Sequence, residues 1–325
     1  MSTATPARPA PAARLTPVFD PARLAAELAT VTDHEWERQR THHTAGRIGP
    51  DTPTDWRVLP LRSPGGDPTR TDPGGPGPHD YAATCWLQQL PYLQQILDTI
   101  PAPLNAVRLL ALGPSAASQP HRDPKYALIR GMVRLHIPIT THPGAVLVLD
   151  GTEHRWQPGT FWYGDFSREH LVRNTGPLRR VHAVIDALLT RELAGLFPAP
   201  WQEKLADADV LFNRQPDPAQ RPPATLPTTL ALPSGFMDFA HDTPLEGPST
   251  TIRLAARGDD LALQAGEHRY ALAPVADSEY RYAGWSEQRT LQLRGDHVVL
   301  HARHGRALTS QHFPLPAADG SQAHT

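Results

Sequence analysis

Hydrophobic and polar positions alternate most regularly between residues 107 and 186. From Ile129 to Ile139 the alternation has the two-residue period of a strand with two unlike faces. One face carries Val133, Leu135, Ile137 and Ile139, and the other carries Arg130, Met132, Arg134 and His136. Further strand-like runs next to turn signals occupy residues 107–112, 145–149, 160–163 and 180–186. An apolar outer face with arginines inside suits a small barrel whose mouth holds an anionic ligand.

Three metal-ligating side chains stand within this patterned stretch. His121 and Asp123 form a His-x-Asp motif after the first run, and His170 precedes the last. On extended backbone, residues i and i+2 point to the same side, so His121 and Asp123 can reach one metal. The intervening segment holds roughly four short strands at hairpin spacing, which would bring its two ends to one barrel mouth. Two imidazoles and one carboxylate are the set that holds non-haem Fe(II).

Arg180 follows His170 on the next predicted strand. It has to reach across only one strand spacing, about 5 Å, to lie behind the metal. Its planar guanidinium can bond both oxygens of a carboxylate, as a dicarboxylate cosubstrate requires. Taken singly, each of the four residues is as well explained as a surface or junction residue. Their order within one β-patterned segment favours an Fe(II)/2-oxoglutarate oxygenase.

The same segment resembles the aspartyl/asparaginyl β-hydroxylase-type family of 2-oxoglutarate oxygenases, which includes bacterial free-amino-acid hydroxylases such as proline hydroxylases. The motifs that carry the resemblance are His121-Arg-Asp123, Arg134-Leu-His-Ile-Pro138, Trp156-Gln-Pro-Gly159, Asp165, His170-Leu-Val-Arg-Asn174 and Arg180-Val-His-Ala-Val-Ile-Asp186. Residues 90–101 are similar to the helix before the family's first core strand. The resemblance extends over residues 18–195 and is strongest from 88 to 186.

The resemblance implies a mainly β (α+β) fold with a double-stranded β-helix, or jelly roll, as its core. It also implies that His121, Asp123 and His170 are the catalytic metal ligands, and the chain keeps the Asp ligand that some animal members lack. Arg180 matches the arginine that anchors the cosubstrate. Arg130 and Arg134 stand where members place further arginines for carboxylates of cosubstrate or substrate.

The implied reaction uses Fe(II), 2-oxoglutarate and O₂ to hydroxylate an amino acid, either free or as an Asp/Asn-like residue of a peptide. Desaturation or cyclisation at the same site is an alternative. A cupin-like binding protein without oxygenase activity is another, although the intact ligand set and Arg180 argue against it. Succinate release that depends on Fe(II) would separate the enzymes from the binding protein.

Composition limits the partners that we expect. The chain has 325 residues and a net charge of −2, which gives no indication of nucleic acid or an anionic membrane as a partner. Its single cysteine, Cys85, excludes an internal disulfide and fits a reducing cytoplasm. The N-terminal sequence lacks the apolar core of a signal peptide, and no run nears the ~18 apolar residues of a membrane span. We therefore expect a cytoplasmic protein.

The sequence predicts four regions: a disordered arm (1–17), an oxygenase core (18–195) with the jelly roll from about 105 to 187, a helix and Pro-rich linker (196–234), and a small β module (235–318). Asp20 and Pro21 begin a predicted helix over 20–29. The Gly/Pro-rich loop 63–79 is either a mobile insert or an active-site lid.

Segments 257–272 and 294–308 form a weak repeat of two hairpins with Arg-Gly-Asp turns, and His297, His301 and His304 are interpreted as a solvated edge strand rather than a metal site. The module would serve a homodimer contact or substrate docking.

Overall fold

The computed structural model describes residues 10–42, 48–51, 54–217, 219–223, 226 and 228–315. The chain divides into two units, of which unit 1 comprises residues 1–74 and 81–213, and unit 2 comprises residues 75–80 and 214–325. Among the described residues, no helix has the length and apolar character that crossing a membrane requires.

The described strands of unit 1 are β1 (Ala12–Val18), β2 (Glu37–Arg38), β3 (Arg40–His42), β4 (Ile48–Asp51), β5 (Trp56–Pro64), β6 (Tyr81–Ala83), β7 (Leu104–Leu112), β8 (Met132–Thr140), β9 (Ala145–Leu149), β10 (Thr152–His154), β11 (Thr160–Gly164), β12 (His170–Asn174) and β13 (Arg180–Leu188). Its described helices are α1 (Pro21–Val31), α2 (Pro91–Asp98), α3 (Arg191–Ala194) and α4 (Ala199–Asp207). The main sheet has the order β1-β11-β8-β13-β7-β5-β2, with β6 paired to β5. A smaller sheet has the order β10-β9-β12.

The alternation along β8 separates a hydrophobic core from the interior between the two sheets. Its apolar residues join one buried cluster with α1 and α2, whose members include Val133, Leu135, Ile137, Leu24 and Leu93. Side chains from the opposite face of the main sheet share a cleft with side chains of the smaller sheet. The two sheets therefore face each other, and the predicted double-stranded β-helix is confirmed as the core architecture of unit 1.

Helix α1 begins as its sequence predicts. The Asp20 side chain accepts hydrogen bonds from the backbone N–H groups of Ala22 and Arg23, and Pro21 occupies the first turn. Helix α2 lies within the segment 90–101 that resembles the family's pre-core helix. Both helices bury their apolar residues against the outer face of the main sheet.

The prediction of a disordered arm over residues 1–17 is wrong for residues 12–17. These residues belong to β1, which pairs antiparallel with β11. Ala13 and Leu15 are buried while Arg14 and Thr16 are exposed, because successive side chains of a strand point to opposite faces. The surrounding sequence is rich in Ala and Pro, so this short alternation is easily missed. Residues 1–9 lie outside the described residues.

The Gly/Pro-rich loop packs in an ordered arrangement up to residue 74. Asp72 is 1% exposed, pairs with Arg70 and accepts a hydrogen bond from the Gly74 N–H group. The Tyr81 hydroxyl donates to the carbonyl oxygen of Pro73. Both interpretations of the loop, the mobile insert and the active-site lid, stay predictions.

Unit 2 is an eight-stranded antiparallel meander. Its strands are β14 (Thr228–Pro233), β15 (Ser249–Arg257), β16 (Asp260–Ala265), β17 (His268–Ala276), β18 (Glu279–Tyr282), β19 (Arg289–Arg294), β20 (His297–His304) and β21 (Ala307–Pro314). They pair in sequence order, and Cα atoms of β14 and β21 come within 8 Å of each other. The result is a nearly closed barrel, larger than the predicted module.

Three predictions fall within this barrel. The two hairpins and their Arg-Gly-Asp turns are confirmed, since Arg257 pairs with Asp260 and Arg294 pairs with His297. The Pro-rich linker is wrong at its end, because residues 228–233 form β14. The edge-strand interpretation of the three histidines is also wrong, because β20 lies between β19 and β21.

Candidate metal centre

A short antiparallel ladder places His121 beside His170. The backbone N–H of His121 donates to the carbonyl of His170 at 3.0 Å, and the reverse bond measures 2.9 Å. Two residues after His170 on β12, the carbonyl of Val172 accepts a hydrogen bond from the N–H of Ser118. The residues before His121 therefore run beside β12. The two imidazole rings are 4.2 Å apart between centroids. The chain thus joins both histidines directly through backbone pairing.

Asp123 completes the cluster. Its backbone N–H donates to the carbonyl oxygen of Phe166 at 2.8 Å, which holds this loop against the turn that precedes His170. One ligand atom each from His121, Asp123 and His170 lie within 4.8 Å of one another. Within the described ranges, this is the one group of three or more such side chains with metal-binding spacing. The structure therefore brings together the three predicted ligands.

Backbone carbonyls orient both imidazoles. Nδ1 of His121 lies 2.8 Å from the carbonyl oxygen of Gln119, and Nδ1 of His170 lies 2.9 Å from that of Arg168. A protonated Nδ1 donates to such an oxygen and leaves the Nε2 lone pair for a metal. Burial lowers the pKa of His170 to about 4, so its ring is neutral near pH 7. Neutral imidazole is the form that ligates metals.

Arg134 holds the Asp123 carboxylate. Its Nη1 atom lies 2.6 Å from Oδ2 of Asp123. Burial acts to raise the pKa of Asp123, but the Arg134 guanidinium and then His170 outweigh it, and the pKa falls below the ordinary value. The carboxylate is therefore ionised near neutral pH, as metal coordination requires.

A second carboxylate and a phenol anchor Arg134 from behind. Its Nε lies 2.7 Å from Oδ1 of Asp186, and its Nη2 donates to the Tyr126 hydroxyl at 2.6 Å. That hydroxyl donates to Asp186, and Arg108 reaches the same carboxylate at 3.4 Å. Burial acts to raise the pKa of Asp186, but Arg134 and Arg108 lower it to about 2. The network is a buried support for Asp123.

Two arginines have surroundings that the sequence did not predict. Arg134 was predicted to bind a carboxylate of cosubstrate or substrate, but Asp123 and Asp186 already engage its guanidinium. Arg130 was predicted on the inner face of the strand with Arg134. It lies instead in a short 3₁₀ turn, separated from β8 by Gly131 with a φ of +70°. The two-residue period of β8 therefore does not extend across this glycine to Arg130.

Arg180 is a buried cation at the start of β13. It is 4% exposed, and its Nη2 atom lies 2.9 Å from Nδ1 of His182. Burial lowers the pKa of Arg180 to about 9. No carboxylate of the described residues forms an ion pair with it, although a buried charge is costly without a partner. An anionic ligand would remove that cost.

A row of rings connects the metal ligands to Arg180. Phe166 lies 4.9 Å from His170 and stacks on His136 at 4.9 Å, and His136 lies 5.7 Å from His182. Both ring nitrogens of His136 are buried and without a hydrogen-bond partner. Burial, followed by Arg180 and Arg134, lowers the pKa of His136 well below its ordinary value.

The cleft beside Arg180 offers further unpaired polar atoms. It is lined by Thr141, Ala145, Leu147, His154, Trp156, Arg180 and His182. Trp156 Nε1 and His154 Nε2 are buried without hydrogen-bond partners. Buried polar atoms normally have hydrogen-bond partners. Unpaired ring nitrogens beside the Arg180 guanidinium therefore suit the binding of a polar anion such as a dicarboxylate.

The sequence analysis assigned no individual role to His136, His154, Trp156 or His182. His136 stood on the correctly predicted inner face of β8, which was a usable signal. Trp156 entered only as part of the resemblance, and His154 follows a turn without any distinguishing pattern.

The chain is similar to a known protein family. The profile of the family described as aspartyl/asparaginyl beta-hydroxylase matches residues 20–189. Among curated proteins, none matches the chain. Solved structures with similarity include a 2OG-Fe(II) oxygenase family oxidoreductase from Burkholderia pseudomallei, 14% identical, covering 51% of this chain and 78% of that one with a TM-score of 0.34.

A prolyl-4-hydroxylase from Pseudomonas putida is also 14% identical, and the match covers 55% of this chain and 91% of that one with a TM-score of 0.33. A cupin domain from Bordetella pertussis is 20% identical, covering 27% of this chain and 86% of that one with a TM-score of 0.22. The family profile covers more than half of the chain and includes all three candidate ligands and Arg180. The chain therefore belongs to the aspartyl/asparaginyl β-hydroxylase family.

Proposed function

We propose that this protein is an Fe(II)/2-oxoglutarate-dependent hydroxylase of an amino acid, either free or as an Asp/Asn-like residue of a peptide. The observation that carries the proposal is the cluster of His121, Asp123 and His170 in the same sheet interior as Arg180, a buried cation without a carboxylate partner. Its ligand set suits Fe(II), and its unpaired cation suits the far end of a dicarboxylate.

The residues divide the work between holding the metal and holding the cosubstrate. His121, Asp123 and His170 would hold Fe(II), which when bound couples O₂ reduction and 2-oxoglutarate decarboxylation to hydroxylation of an unactivated C–H bond. Arg180 would bind the distal carboxylate, whose charge restores the pKa of the guanidinium toward its ordinary value. His136 offers a ring N–H or a lone pair between these two regions, because neither of its nitrogens has another partner.

Apolar rings would keep water from the reacting groups. Phe166 packs against both His170 and His136, and Trp156 stacks on Trp162 at 5.1 Å. Removing water strengthens the charge-assisted bonds of a bound dicarboxylate and protects reactive species from side reactions. The substrate class is supported by the family alone, since Arg134 is engaged within the protein and a substrate carboxylate would need other donors.

The test measures metal binding and turnover separately. Without oxygen, protein with Fe(II) and 2-oxoglutarate should develop a weak visible charge-transfer band, and His121→Ala and His170→Ala should each abolish it. The exposed His304 provides the matched control, and His304→Ala should keep the band. Full band strength in both ligand variants would show that the metal lies elsewhere.

Turnover identifies the reaction. Air-saturated wild-type protein should release succinate from 2-oxoglutarate only when Fe(II) is added, and a panel of free amino acids and short peptides should reveal the substrate that increases it. A product heavier by one oxygen atom supports hydroxylation, whereas a product lighter by two hydrogens would replace it with desaturation or cyclisation.

A further inference from the structure

The turn formed by residues 165–168 holds two of the three candidate ligands through its backbone. The carbonyl oxygen of Phe166 accepts the N–H of Asp123, and the carbonyl oxygen of Arg168 accepts the Nδ1 hydrogen of His170. The N–H of Arg168 donates to the carbonyl of Asp165 at 3.0 Å and closes the turn. The Arg168 carbonyl therefore orients the His170 ring, and the Phe166 carbonyl holds the backbone of Asp123 in place.

The Arg168 side chain fixes this turn from inside. Arg168 is 4% exposed, and its Nε lies 2.7 Å from Oδ2 of Asp165, within the turn itself. Its Nη1 lies 2.8 Å from Oδ2 of Asp150, in the β9–β10 turn. The guanidinium thus joins two separate turns of the chain through two carboxylates, a geometry suited to its rigid fork of donors.

Both ends of this bridge are themselves held in place. The N–H of Asp165 donates to the carbonyl of Pro11, next to β1, and Asp165 also accepts from the Ser167 hydroxyl. Asp150 has a positive φ of 50°, and its N–H donates to the carbonyl of Glu169, which directly precedes His170. The bridge is therefore connected to the metal-ligand segment at several points.

We infer that Arg168 is a positioning residue for the metal centre: its pairs with Asp165 and Asp150 orient the turn whose carbonyls hold the His170 ring and the Asp123 backbone. The inference rests on the metal role proposed above and adds a residue that touches neither metal nor substrate. A purely stabilising pair would change the free energy of unfolding but leave the metal site of the folded protein as it was.

The experiment titrates Co(II), a spectroscopic substitute for Fe(II), into the full-length apo-protein. Arg168→Gln should weaken Co(II) binding by about tenfold, the lower end of the effect of losing a direct partner of a ligand, because the Arg168 carbonyl itself remains. It should also shift the visible Co(II) bands, because the geometry around the metal changes. Arg168→Lys keeps the charge but not the fork, so it should restore part of the affinity.

Arg173 offers a matched control on the strand that carries His170. Its side chain is 39% exposed and pairs with Glu153, so Arg173→Gln removes a comparable ion pair without touching the turn. We expect wild-type affinity and spectrum for this variant. Equal losses in both glutamine variants would overturn the inference, as would wild-type affinity and spectrum in folded Arg168→Gln.

Asp150→Asn decides the matter if Arg168→Gln fails to fold. The Asp150 side chain is 36% exposed, so its substitution is mild, and Asp165 remains to bind Arg168. We expect a smaller shift of affinity and spectrum in the same direction, with a native circular dichroism spectrum. An unchanged metal site in this variant would overturn the inference. Failure of the proposed function is distinguishable, because the wild-type protein would then bind no Co(II) at His121, Asp123 and His170.

Discussion

Two buried arginines of the same sheet interior have opposite surroundings. Arg134 lies between the carboxylates of Asp123 and Asp186, whereas Arg180 has only the imidazole of His182. A buried cation that is paired with carboxylates already has its charge compensated, whereas a buried cation without such a partner is stabilised when an anion binds to it. The difference supports the proposal that Arg134 holds a metal ligand in place and that Arg180 binds the cosubstrate.

Arg180→Leu should therefore weaken 2-oxoglutarate binding while sparing the metal. Loss of a buried charge-assisted contact costs roughly 2–5 kcal/mol, which corresponds to at least a tenfold rise in the dissociation constant. Anaerobic calorimetry with the metal-loaded protein measures the dissociation constant of 2-oxoglutarate. Arg179→Leu is the control, because the neighbouring Arg179 side chain is 49% exposed and faces Asp55 at 3.5 Å. Unchanged affinity in Arg180→Leu would move the cosubstrate to other donors.

Asp186→Asn should destabilise the protein at neutral pH by about 3–5 kcal/mol, because Arg134 and Arg108 lose their shared carboxylate. The pKa of Asp186 is depressed from 3.8 to about 2. The ionised Asp186 carboxylate therefore stabilises the folded protein fully above about pH 4, and this stabilisation is lost as the pH falls through about 2. Urea unfolding at several pH values should show the two proteins converging in acid. If the difference in the free energy of unfolding between the two proteins did not change with pH, the charge of the carboxylate would be excluded as the cause of that difference.

The sequence predicts the site where local geometry decides it. His121 and Asp123 are two residues apart, so extended backbone alone predicts that they share a side. The partner of Arg134 could not be predicted in this way, because Asp186 lies on another strand and only sheet register places it opposite. Periodicity told which face Arg134 occupies, but not which charges meet it there.

At the level of elements, the N-terminal strand has the largest unforeseen effect. β1 covers the edge of the main sheet beside β11, and the residue before it bonds to the turn that carries Phe166 and Arg168. An Ala/Pro-rich composition concealed it, since only Ala13 and Leu15 reveal the alternation. β14 was hidden in the same way by surrounding prolines, whereas the long alternation of β8 needed no tertiary information.

Leu15→Ala should lower the free energy of unfolding by about 2–5 kcal/mol, because Leu15 is 1% exposed and truncation leaves a cavity in the core. Val18, at the end of the same strand, is 62% exposed, so Val18→Ala should change it by about 0.5 kcal/mol or less. Urea denaturation of both variants gives the comparison. Equal, small effects would mean that β1 contributes nothing to the core.

At the scale of the whole chain, every residue assigned to the metal and cosubstrate belongs to unit 1. That unit ends at Asn213, whose side chain donates to the carbonyls of Gly131 and Leu189. A fragment of residues 1–213 should fold cooperatively and bind Co(II) as the full chain does. An insoluble or metal-free fragment would show that unit 2 is required for the site.

The same fragment should be cut faster by a broad-specificity protease between residues 75 and 80. In unit 2, the carbonyl of Gly77 accepts the N–H of Ala271, and that of Pro78 accepts from Arg269. The fragment lacks both donors, so this backbone is more accessible than in the full chain. Equal cleavage rates in fragment and full chain would contradict the pairing.

The discontinuity of unit 2 also constrains how the protein folds during its synthesis. The ribosome delivers residues 75–80 well before residues 214–325, with which they form one unit. At about 5–20 residues per second, the interval is on the order of ten seconds. Throughout that time Gly77 and Pro78 lack their later donors, while β6 through β13 emerge and can pair with one another and with β5. The nascent chain can therefore assemble its metal centre first, and the barrel must recruit a segment whose two ends are already anchored.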